Sequence, residues 1–66
     1  MPKVETDEMS AYYAARTLAT EALAIQGAFG ALCAIRLNDS LVKAGYDPAI
    51  EPETLARLAT LAHVDL

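Results

Sequence analysis

Three features of the sequence predict an all-α protein. Asp7 to Ala44 holds helical phase without a proline, Gly45-Tyr46-Asp47-Pro48 forms a marked stop, and a second amphipathic segment opens at Pro52. Read together they give a long helix plus a short helix. This is an asymmetric helical hairpin in one helical domain spanning residues 1–66, packing into an oligomeric or hetero-complex helix bundle.

The long helix, expected over about residues 7–44, follows a lead-in at 1–6. Thr6 or Asp7 can cap it, and Asp7 and Glu8 suit the positive end of the helix dipole. Between Ala22 and Ile35 only Gln26 is polar, so a helix there is apolar on nearly every side. Two seams of alternating 4,3 spacing run through it. One carries Ala11, Ala15, Leu18, Ala22, Ile25, Phe29 and Leu32; the other carries Leu23, Gly27, Gly30, Ala34, Leu37 and Leu41. The seams lie roughly 140° apart and can face different neighbours. Gly27 and Gly30, each followed four residues on by alanine, make small-xxx-small steps that suit a close helix crossing. Asn38-Asp39-Ser40 is the weak point of the run, but Leu37, Leu41 and Ala44 keep one face and Asp39 can pair with Lys43, so the helix is expected to continue through it.

The stop is built from Gly45 in the left-handed position beyond the last turn, Tyr46 folding back on Leu41 as in a Schellman motif, and Pro48. After a loop at 45–51, Pro52 opens the short helix, about 52–64, with Ile50 and Leu55 placed as a hydrophobic staple. Its apolar stripe is Leu55, Leu58, Ala59, Ala62 and Leu66, with Leu61 at the margin. The stretch IEPETLARLATLAHVDL resembles the opening helix of the small C subunit of tRNA-dependent amidotransferases, where a cap, a Glu-Thr or Glu-Val pair and a Leu/Ala ladder recur. The resemblance covers 17 of 66 residues and implies a capped amphipathic helix; no residue role or activity is carried from it.

Lengths then set the expected architecture. A first helix of about 57 Å cannot be covered by a second of about 18 Å, so a partner is expected to bury the remaining apolar surface. The expected protein interface is Leu18, Ala22, Ile25, Gly27, Phe29, Gly30, Leu32, Ala34, Leu37 and Leu41, and the chain is not expected to be a folded monomer.

Composition narrows the function classes. The apolar fraction of 55% opposes disorder, and a net charge of -4 with five scattered basic residues opposes nucleic-acid binding. Cys33, the single cysteine, rules out an intrachain disulfide and sits in an apolar setting that suits a small buried hydrophobe. His63 is the one histidine and has no ligand partner at helical spacing. Glu21 opens the apolar stretch on a thin polar strip with Ser10, Thr17 and Asp39. No catalytic, cofactor-binding or metal-binding residue is expected, and no cofactor. The expected role is that of a non-enzymatic structural or interaction subunit, alanine-rich and cytoplasmic or virion-internal. Its partner is itself, as a homo-oligomer, or a larger protein in a bacterial or phage complex. The alternatives are a membrane-associated, filament or coat-type subunit, although the 14-residue apolar run is short of a span, and an accessory subunit of an enzyme complex.

Overall fold

The computed structural model describes the backbone of residues 3–65 and the side chains of residues 9–65. It contains three helices and, among the described residues, no strand: α1 (Lys3–Ile25), α2 (Ala28–Lys43) and α3 (Pro52–Ala62). The expected long helix is therefore broken, and it breaks at Gln26–Gly27 rather than at Asn38–Ser40. Gln26 takes a left-handed backbone (φ 55°) and the Gly27 N–H reaches back to the Ala22 carbonyl at 3.0 Å. That bond is the six-to-one closure of a Schellman end, built here on glutamine instead of glycine. Gly27 then starts α2 with extended backbone and no side-chain cap. α1 also begins earlier than expected, at Lys3, inside the stretch read as a lead-in; the capping side chains of Thr6 and Asp7 lie outside the described ones.

Burial of alanine explains why the chain turns. Ala15, Ala19 and Ala22 recur along one face of α1, Ala31 and Ala34 along one face of α2, and all five are buried once the helices fold antiparallel. A continuous helix would leave both alanine faces in water, whereas a left-handed glutamine costs roughly 1 kcal/mol. Gly30 lies at this close approach. A Cβ built there would sit 3.5 Å from the Ala22 Cβ, ordinary contact, so the crossing expected at Gly30 exists but lies within one chain and would accept alanine. Gly27, expected at the same crossing, belongs to the turn instead.

The end of α2 and the start of α3 are as the sequence predicts, while α3 stops at Ala62, short of the expected 64. Gly45 is left-handed (φ 98°), its N–H bonds the Val42 carbonyl, and the Tyr46 N–H bonds the Leu41 carbonyl at 3.0 Å, which completes a Schellman motif. α2 runs unbroken through Asn38–Ser40, and Asp39 pairs with Lys43 at 3.0 Å. Pro52 occupies the first turn of α3, with Ile50 buried and Leu55 half-buried on either side of the cap. α3 ends on a third Schellman closure, with His63 left-handed (φ 60°) and the Val64 N–H bonded to the Ala59 carbonyl. Of its stripe, Leu58 and Ala59 are buried and Leu55, Leu61 and Ala62 half-buried; Leu66 lies outside the described residues.

The three helices pack into a compact globule with a Cα radius of gyration of 11.8 Å. Its core is made of small side chains: seven of the eleven buried apolar residues are alanines, joined by Ile35, Leu41, Ile50 and Leu58. Small facing residues let helix axes approach to the short end of the usual 8–10 Å range; Leu18, Leu23, Leu37, Leu55 and Leu61 pack half-buried against this core, while Met9, Tyr13, Ile25, Phe29 and Val42 are exposed.

Candidate interaction surface

The α2–α3 loop is fixed from two sides. Asn38 is the buried polar residue of the core, and its Oδ1 accepts the N–H groups of Ala49 (2.8 Å) and Ile50 (3.0 Å). From α1, the Tyr12 hydroxyl donates to the Asp47 carbonyl and Arg16 Nε donates to the Ala49 carbonyl at 3.2 Å. Asn38 and Arg16 satisfy buried or half-buried loop backbone that would otherwise lose its hydration, and Tyr12 ties the loop at an exposed carbonyl. Asn38 marks itself in the sequence: it occupies the phase of Ala31, Ala34 and Leu41, a core position that a polar residue takes only with a partner. Tyr12 and Arg16, one turn apart, carry no such sign, because their acceptors lie more than thirty residues away.

The position of α3 divides the α1–α2 hairpin into two faces. Leu23 and Gln26 share a shallow groove with Arg57, Thr60 and Leu61, and Ile35 and Val42 share another with Leu55. At about 100° per residue, Leu23 on α1 and Ile35 on α2 therefore mark the side that α3 covers. Opposite in phase run Ala14, Leu18, Glu21 and Ile25 on α1, and Cys33 and Leu37 on α2, with Phe29 about 120° from Ile35 at the outer margin of this face. Among the described residues, no third helix lies on this second face. Ile25 is 77% and Phe29 79% exposed, while Leu18, Cys33 and Leu37 are half-buried.

The residues expected at an interface thus separate. Ala22, Ala34 and Leu41 are buried by the chain itself, so in this fold they form the core and not a docking surface. The premise that α3 alone must cover a long helix fails, because α1 and α2 cover one another. Ile25 and Phe29 are exposed, and Leu18, Gly30 and Leu37 half-buried. Leu32 is half-buried and by phase lies away from the uncovered face, and Gly27 is a half-buried turn residue. Met9 and Tyr13, 70% and 78% exposed, form a separate apolar pair one turn apart on the outer side of α1.

For chemistry the described residues offer little. Among them, no group of three His, Cys, Asp or Glu side chains lies close enough to hold a metal ion. Cys33 is a free thiol and half-buried, and His63 is exposed at the end of α3. No helix is long and apolar enough to cross a membrane among the described residues, since the apolar stretch from Ala22 to Ile35 is divided by the turn. The chain matches no protein-family model, no curated protein and no solved structure.

Proposed function

We propose that the protein is a non-enzymatic interaction module that docks onto another protein through the uncovered face of its α1–α2 hairpin. One observation carries this reading: small side chains fill the core while Ile25 and Phe29, among the largest apolar residues, stand in water at the hairpin tip. Covering a phenylalanine or isoleucine stabilises by about 1.5–3 kcal/mol, and scattered exposure of single apolar residues is ordinary. By helical phase, half-buried Leu18, Cys33 and Leu37 run along the same side as Ile25, with Phe29 at its margin, an apolar strip of the kind that can mark an interaction site. Glu21 is the charged side chain within that face and gives it polarity at one side.

A photoreactive phenylalanine analogue at position 29, introduced in the native cell, tests this directly. It should give discrete crosslinks to protein, whereas the same analogue at position 13, equally exposed but on the outer side of α1, should give none or far fewer. Absence of discrete products from position 29 would contradict docking through this face.

A further inference from the structure

We infer that the occupant of the uncovered hairpin face is a second copy of this chain, related by a two-fold axis that sets the hairpin tips at opposite ends of the dimer. The inference rests on the docking reading above and names its partner. Three observations support it.

The first is shape. Along the face, bulk is concentrated at the tip in Ile25 and Phe29, the middle holds Leu18, Cys33 and Leu37, and the far end is small, with Ala14, Ser40 and Ala44. Turning a second copy end for end lays each bulky tip over the small end of its neighbour and brings the leucines together near the axis. A tip-over-tip pairing instead sets Ile25 and Phe29 against their own equivalents and props the small ends apart, with loss of contact.

The second is area. α2 is 16 residues long, about 24 Å, and two adjacent helices are about 20 Å across. The face therefore offers roughly 500 Å² per copy, or about 1,000 Å² in the pair, the floor for a specific interface. A self-complementary two-fold contact uses the whole of it on both sides, as isologous interfaces do. The third is the core. Two hairpins laid face to face give four helices around a new centre that would cover exposed Ile25 and Phe29 and bury further Leu18 and Leu37, which are half-buried in the single chain.

Glu21 opposes the pairing mildly. The two copies bring equivalent carboxylates to within about a Debye length, so added salt, or Glu21→Ala, should tighten the dimer.

Sedimentation equilibrium of the purified chain from micromolar to millimolar concentration should show a species of twice the 7.0 kDa chain mass. Phe29→Ser should weaken it by about thirtyfold, and Tyr13→Ser should leave it unchanged. Spin labels on Gln26→Cys in a Cys33→Ala background should report tips separated by more than about 25 Å. A chain that stays monomeric throughout overturns the inference; if position 29 still crosslinks to a different protein, the docking reading survives without it. A dimer indifferent to Phe29→Ser, or one with adjacent tips, overturns the proposed face or the proposed orientation.

Discussion

On one side of the α1–α2 hairpin, Leu23, Ile35 and Val42 meet α3; on the other, Leu18, Ile25, Phe29 and Leu37 are covered by no third helix. Both sides are rich in apolar residues, and the difference is made by the chain's third element, which is attached to one side only. α3 stays there because its loop is pinned: Asn38 holds the N–H groups of Ala49 and Ile50, while Tyr12 and Arg16 hold the carbonyls of Asp47 and Ala49. The covered side is fastened by directional hydrogen bonds, and the open side displays non-directional apolar surface. The first arrangement selects one fold; the second is the surface proposed above for association.

Substitutions on the two sides should separate along the same line. Leu58, fully buried between α3 and the hairpin, is the largest such side chain, and Leu58→Ala should destabilise the chain by about 2–5 kcal/mol in urea unfolding. Asn38→Ala comes next: it orphans two loop N–H groups and should cost about 2 kcal/mol, with hydrogen exchange at Ala49 and Ile50 accelerated ahead of global unfolding. Phe29→Ser, in contrast, should change the stability of the isolated chain by less than about 0.5 kcal/mol, since its side chain is already in water; circular dichroism should show helix content unchanged.

How much of this was legible in the sequence depends on the range of the interactions that decide each element. The Gly45 stop, the start of α3 at Pro52, the stripe through Leu58 and the continuity of α2 across Asn38–Ser40 all rest on residues within a turn or two of one another, and each was readable. The break at Gln26–Gly27 was not. Local spacing predicts a crossing at both glycines inside one helix, because a left-handed glutamine is a poor local choice and wins only through distant burial of Ala15 and Ala19 against α2. Once the turn is placed, Ala22, Ala34 and Leu41 move from interface to core, while Ile25 and Phe29 remain outside.

That local conflict gives a further, smaller prediction. Gln26→Gly removes the left-handed penalty and should stabilise the chain by about 0.5–1 kcal/mol in thermal unfolding. Should it destabilise instead, Gln26 would be making a contact at the groove with Arg57 and Leu61 that outweighs the backbone strain.

The proposed dimer keeps each chain closed on its alanine side and completes the fold by association on the bulky side. The thermal midpoint as a function of protein concentration tests this most directly, because association raises the stability of the folded state by mass action. The wild-type and Tyr13→Ser midpoints should climb steadily from micromolar to millimolar chain, and the Phe29→Ser midpoint should stay flat at the low-concentration value. A wild-type midpoint independent of concentration over that range would contradict the claim.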